Sequence, residues 1–152
     1  LSGSSHLALA QSLAKSLNWS LGMCAVEKFP DGECEIDVQD HVRGAEVYVL
    51  QTLNAPVGEN LLELTLIADA CHRAGAQSIT ALVPYFGYAR QDRRETGREP
   101  LGARVMAELL SAGKINRLVC LDVHSRAVEG CFEVPVEHAS AIPRLVEHVR
   151  AK

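Results

Sequence analysis

Three short apolar runs rich in β-branched residues, Glu46–Gln51 (EVYVLQ), Ser78–Val83 (SITALV) and Arg117–Leu121 (RLVCL), alternate with long helical stretches. No other feature narrows the choice of fold as much. Strands this apolar must be covered on their faces, and strands separated by a helix-length connection pair in parallel. Between them, Leu61, Leu62, Leu64, Ile67, Ala68 and Cys71 form one wide face of a helix closing near Gly75, and Val105, Met106, Leu109 and Leu110 form another closing at Gly113. Each helix is the crossover of a β-α-β unit. The sequence therefore predicts an α/β domain, doubly wound, with a mainly parallel sheet and helices on both faces.

Before this alternation begins, Leu7, Leu9, Ala10, Leu13, Ala14 and Leu17 recur at three- and four-residue spacing, predicting an amphipathic helix entered through Ser4 or Ser5 and packed on the sheet. Leu21–Val26 and Cys34–Val38 read as two strands joined by the turn FPDGE, a projecting β-arm. Ile142–Val149 reads as a last helix, after which the chain stops without another strand, as expected of a piece of a longer protein. No linker or repeat divides residues 1–152, so they are expected to form one domain.

Of the 152 residues, 47% are hydrophobic and 22% charged, ordinary for a single soluble core that needs neither disulfide nor structural metal. The five cysteines are scattered and odd in number, which predicts a reducing, cytoplasmic setting. No apolar run approaches the ~20 residues of a bilayer span, so no membrane role is expected. A net charge of −4 argues against general nucleic-acid binding, and any anion site must be built locally.

Ligands of open α/β sheets gather at the carboxyl ends of the strands, so the segments that follow the strands carry the candidate chemistry. After SITALV comes PYFGYARQDRRETGREP, which places Arg90, Arg93, Arg94 and Arg98 within nine residues of an acidic protein. Planar guanidinium forks suit a polyphosphate. The competing reading is a solvated loop in which Asp92 and Glu95 neutralise two arginines. Tyr85, Phe86 and Tyr88 adjoin the run, and at least some of them are expected to pack and fix it. After RLVCL come Asp122 and His124, two apart and so on one face of an extended strand. They could share a magnesium ion, which takes few protein ligands. Alternatively Asp122 caps the next turn and His124 bonds a backbone carbonyl. In FPDGE, Phe29, Asp31 and Glu33 suit an adenine clamp, although Asp31 and Gly32 are also what a tight turn requires. His138 and His148 are expected at the surface. Neither Gly-rich phosphate motif, G-x-x-x-x-G-K-[ST] or G-x-G-x-x-G, is present.

Phe29–Glu33, Val42–Gly44, Asn60–Leu64, Pro84–Arg94, Asp122–His124 and Gly130–Val136 together resemble, in order and spacing, the motifs of the ribose-phosphate diphosphokinase (phosphoribosyl pyrophosphate synthetase) family. The resemblance spans essentially the whole chain, and PYFGYARQDRR is its most specific part. It implies a phosphoribosyltransferase-like fold and transfer of the diphosphoryl group of ATP to the anomeric hydroxyl of ribose 5-phosphate, with release of AMP. It further implies a homo-oligomer in which Phe29, Asp31, Gly32 and Glu33 of one subunit meet ATP held by Arg90, Gln91, Asp92 and His124 of another. Mg2+ is the implied cofactor, met by His124 and Asp122, with Glu133 and Glu137 at positions also associated with metal.

Several positions depart from the family pattern. Arg126 and Glu129 replace glutamines, Cys131 replaces a Phe, and Glu133, Glu137 and His138 replace Asp, Asp and Asn. Glu129 and His138 fall in the region the family uses for control by phosphate and nucleotide, where a carboxylate repels phosphate. The chain has no Asp-Asp pair, the mark of the family's sugar-phosphate site, so it is expected to be the ATP-side domain alone, without turnover by itself and without catalytic residues of its own. A catalytically silent, synthetase-associated regulatory subunit is the alternative expectation.

Overall fold

The computed structural model describes all of residues 1–152. Four parallel strands, β3 (Glu46–Leu50), β4 (Ser78–Val83), β5 (Arg117–Leu121) and β6 (Val136–Ala139), lie side by side in chain order. Strands laid down sequentially with right-handed crossovers send every connection to the same face. That face carries α2 (Val57–Arg73), α3 (Gly102–Ala112) and the 3-10 turn Arg126–Cys131. The core sits beneath them: Val47, Val49, Ile79, Ala81, Val83, Leu118 and Cys120 from the strands meet Leu64, Ile67 and Ala68 of α2 and Met106 and Leu110 of α3. Alternation in β3 sends Tyr48 and Leu50 to the other face, where with Leu82 they meet Ala10 and Leu13 of α1 (Leu7–Ser16). No helix is long and apolar enough to cross a membrane.

Three local expectations are revised. The first helix is not entered through Ser4 or Ser5. His6 caps it, its Nδ1 accepting from the Leu9 N–H at 3.2 Å, and only Ala10 of the helix is buried. The serines instead join a polar knot under the amino end of the sheet's first connection. Ser4 Oγ donates to Glu63 Oε2 at 2.6 Å, Ser5 Oγ donates to Gln51 Oε1 at 2.5 Å, and Gln51 Nε2 donates to Glu63 Oε1 at 3.0 Å. Gln51 and Glu63 are both buried. The first strand begins three residues later than expected, at Cys24. Finally, β6 is a strand that no sequence pattern announced. It is four residues long and bordered by Pro135 and Ser140, too short for its period to stand out.

The arm, β1 (Cys24–Lys28) paired antiparallel with β2 (Cys34–Val38), is a separate two-stranded sheet. Its Cys24, Val26, Ile36 and Val38 pack on the core, with β2 against α2, while its turn stands in solvent. A salt bridge from Lys28 to Glu59 ties the tip to the first turn of α2. At the other end, α4 (Ile142–Arg150) buries none of its residues, and Ile142, Leu145, Val146 and Val149 lie exposed.

Because Glu63 accepts three hydrogen bonds from Ser4 and Gln51 in a buried place, its removal strands the Ser4 N–H and leaves Gln51 Nε2 with only the Asn60 carbonyl. Glu63→Ala is expected to lower unfolding free energy by about 1–3 kcal/mol, the cost of unpaired buried polar groups. Urea denaturation measures it, and a loss below about 0.5 kcal/mol would show the knot to be dispensable.

Candidate functional site

Two adjoining cavities open at the carboxyl ends of β4 and β5, where an α/β sheet leaves its strand ends uncovered. The first, about 470 Å³, lies between the loop after β4 (Tyr85–Gln91) and the loop after β5 (Leu121–His124). The second, about 640 Å³ and walled entirely by polar residues and Pro100, continues along Asp92, Arg93, Glu95 and Glu99. Arg90, Gln91 and His124 line both.

Residues 84–101, between β4 and α3, form neither helix nor strand. Phe86 and Ala89 are buried and anchor the near end, with Phe86 edge-on to Phe132 at 5.5 Å between ring centroids. Tyr88 has a left-handed φ of 63°, uncommon for an aromatic residue and a form of strain that gathers at working sites. Its ring and that of Tyr85 are half-exposed on the cavity wall. Of the three aromatics beside the run, Phe86 is the one that packs and fixes the loop.

The arginine cluster does not neutralise itself. Arg90, Arg93, Arg94 and Arg98 are all exposed, and none forms an ion pair with a carboxylate. Glu99 is engaged by backbone instead, accepting from the Glu95 N–H at 2.7 Å and the Thr96 N–H at 3.2 Å, and these bonds hold its carboxyl below its ordinary value. The salt-bridged loop therefore drops out; of the four unpaired guanidinium groups, those of Arg90 and Arg93 line the two connected cavities, and Arg94 and Arg98 lie on the same loop outside their walls.

Asp122 and His124 share the first cavity but do not present a matched pair. The expectation of a common face required extended backbone through residue 122, and Asp122 has φ 44°, so alternation ends there. Its carboxylate turns to the connection before α4, accepting from Ser140 Oγ at 2.6 Å and the Ala141 N–H at 2.9 Å. Those bonds, the Ser140 hydroxyl first, hold the Asp122 carboxyl below its ordinary value. The capping reading is the one realised for Asp122. His124 is exposed and makes no hydrogen bond to a backbone carbonyl. Glu133 and Glu137 are separated from this site. Glu133 pairs with Arg104 at 3.5 Å, and Glu137 pairs with Arg117 at 2.7 Å toward the amino end of β5. No three His, Cys, Asp or Glu side chains come together as a metal cluster. Of the residues expected to meet metal, only His124 lines the cavities without a hydrogen-bond or ion-pair partner in the chain.

In the arm, the Asp31 and Gly32 turn forms as expected, with Gly32 at φ 92° and Asp31 Oδ1 accepting from the Glu33 N–H at 3.1 Å. Phe29 is exposed and lines no cavity described here. Asp31, Gly32 and Glu33 border a third cavity of about 570 Å³, with Lys28, Pro56 and Glu59, that shares no residue with the first two. Within one chain, then, the arm does not meet Arg90, Gln91, Asp92 or His124.

Other residues were misjudged or missed. His138 is not at the surface: its side chain is 15% exposed, and Nε2 lies buried without a hydrogen bond, 3.6 Å from Glu129 Oε2. All five cysteines are free. Burial pushes the thiols of Cys71 and Cys120 up to about 11 and about 12. Gly87, on the first cavity, is packed so closely that a Cβ there would lie 2.7 Å from the Leu53 carbonyl oxygen, a backbone contact invisible in one sequence.

This architecture is matched by known proteins. Residues 1–113 match the family profile described as the N-terminal domain of ribose phosphate pyrophosphokinase. A ribose-phosphate pyrophosphokinase of Fusobacterium nucleatum subsp. nucleatum is 40% identical over 151 residues, covering 99% of this chain and 48% of the relative. One from Staphylococcus epidermidis is 41% identical over 140 residues, 92% of this chain and 44% of the relative. The crystal structure of phosphoribosylpyrophosphate synthetase from Mycobacterium smegmatis superposes with a TM-score of 0.93 at 36% identity, covering 97% of this chain and 50% of that one. The chain belongs to the ribose-phosphate pyrophosphokinase family and matches its N-terminal domain. It spans about half the length of the curated relatives it matches.

The lowered Asp122 carboxyl has a pH signature. A carboxyl depressed in the folded state adds stability that is complete above the ordinary aspartate range near pH 4 and is lost as pH falls toward the folded value. Asp122→Asn is therefore expected to flatten the acid limb of the melting temperature between about pH 5 and pH 2.5. Parallel limbs in the two proteins would show that the Ser140 and Ala141 bonds do not favour the charged form.

Proposed function

We propose that this chain is the ATP-side domain of a ribose-phosphate diphosphokinase, binding magnesium-ATP in the two joined cavities, and that the diphosphoryl group passes to ribose 5-phosphate only in a chain that also carries the sugar-phosphate domain. The observation carrying this reading is the set of exposed, unpaired guanidinium groups on residues 84–101, with Arg90 reaching both cavities. An acidic protein leaves such groups uncompensated at a strand end where a ligand supplies the anion.

In this reading Arg90 holds phosphate oxygens, Gln91 and Asp92 bind beside it, and His124 meets the magnesium that arrives with the triphosphate. Magnesium supplies charge neutralisation at the phosphates, and the chain's own work is orientation, as suits phosphoryl chemistry governed by positioning. Phe29, Asp31, Gly32 and Glu33 would grip the adenine of a neighbouring subunit. Two observations favour that role: the Phe29 ring is free in solvent, and the arm's cavity is separate from the arginine cavities of its own chain. The setting proposed is cytoplasmic, with the ATP site shared in a homo-oligomer.

Calorimetry with ATP and magnesium is expected to show binding that requires the metal. Arg90→Ala and Phe29→Ala should each weaken it by about ten- to a hundredfold, the worth of a hydrogen bond to a charged group or of a stacked ring. Unchanged affinity in both variants would remove this assignment. A second reading, a silent regulatory subunit, is favoured by the placement of the Glu129 carboxylate against His138. Turnover in a chain extended to the relatives' length would exclude it.

A further inference from the structure

Gly102 opens α3 and is buried, yet its backbone is not in the left-handed region that calls for glycine. The exposed Gln91 side chain lies across the Gly102 Cα, in the space a side chain at 102 would take. A Cβ at Gly102 would stand 3.0 Å from both Cβ and Cδ of Gln91 and would collide with its Oε1. The same two segments are tied through the backbone, where the Ala103 N–H donates to the Gln91 carbonyl at 3.1 Å and the Gln91 N–H donates to the Tyr88 carbonyl at 2.9 Å. The Gln91 amide itself makes no hydrogen bond within the chain and lines both cavities.

A flexible side chain with an unpaired amide at a cavity wall loses rotamer entropy on binding unless packing has already fixed it. We propose that Gly102 is a positioning residue for the nucleotide site: it seats the Gln91 side chain so that its amide faces the ligand, and so couples the start of α3 to the arginine loop. This rests on the reading of the cavities as the ATP site. Gly102 does not touch the ligand and acts only through Gln91.

The test is a double-mutant cycle on magnesium-ATP affinity. Gly102→Ala is expected to weaken binding at least about tenfold, the loss of one hydrogen bond to a charged ligand, and by less than about twofold in a Gln91→Ala background. Gly58→Ala, also in a first helical turn but with open space around it, is expected to leave affinity unchanged. Gln91→Asn keeps the amide but draws it back by one methylene, and is expected to lose as much affinity as Gly102→Ala. Equal losses from Gly102→Ala in the two backgrounds would make Gly102 merely structural and overturn the proposal. Should Gly102→Ala fail to fold, Gln91→Asn decides, and parent-like affinity in it overturns the proposal. Nuclear Overhauser contacts from the Gln91 side-chain amide to the Gly102 Hα are expected in the ligand-free parent, and their absence also overturns it. A parent chain that does not bind magnesium-ATP defeats the ATP-site reading and the positioning role together. Binding without coupling defeats the positioning role alone.

Discussion

The packing of α2 and α3 over one face of the parallel sheet is the constraint from which the rest of the molecule follows. Val49, Ala81 and Val83 are sealed against Leu64, Ile67 and Ala68, all without solvent exposure. Burying such side chains is worth roughly 1.5–3 kcal/mol each for the larger ones, and it fixes the direction in which every strand runs. With four parallel strands pinned this way, the loops after β4 and β5 must emerge at the same edge. Arg90 and His124, 34 positions apart in the chain, thereby come to line the same two cavities.

Charge then decides what that edge can do. The protein carries a net charge of −4, yet none of Arg90, Arg93, Arg94 and Arg98 pairs with a carboxylate, whereas four of the seven other arginines do. Arg73, Arg104, Arg117 and Arg144 each have a carboxylate partner. Exposed pairs of that kind are worth little in stability, but each removes a cation from competition for a ligand anion. The same pairing engages Glu133 and Glu137 with Arg104 and Arg117, away from His124.

Much of this was legible in the order of residues. The runs EVYVLQ, SITALV and RLVCL lie where β3, β4 and β5 form, and Leu61, Leu64, Ile67, Ala68 and Cys71 of α2 with Met106 and Leu110 of α3 cover them, whereas Leu62, Val105 and Leu109, read as part of the same faces, are exposed. What escaped reading depended on backbone angles and tertiary contact. Asp122 and Tyr88 both leave the extended or helical regions, so period-two reasoning failed at residue 122. β6 was too short to display a period. Ser4 and Ser5 look like helix caps by type, but their hydroxyls go to Gln51 and Glu63, distant partners that no local window includes. Of the candidate ATP-site residues, Arg90, Gln91, Asp92 and His124 are brought together, whereas Phe29, Asp31, Gly32 and Glu33 stay apart within one chain.

The buried sulfurs of Cys71 and Cys120 carry a consequence of their own. At neutral pH a thiol raised to about 11 or 12 is almost wholly protonated, and only the thiolate attacks an alkylating reagent. Both side chains are buried in the core, Cys71 on α2 and Cys120 on β5, so modification waits for that layer to part. The two sulfurs are thus built-in clocks for the opening of the central layer, and their labelling rates time how often the sheet and its covering helices separate in otherwise native protein.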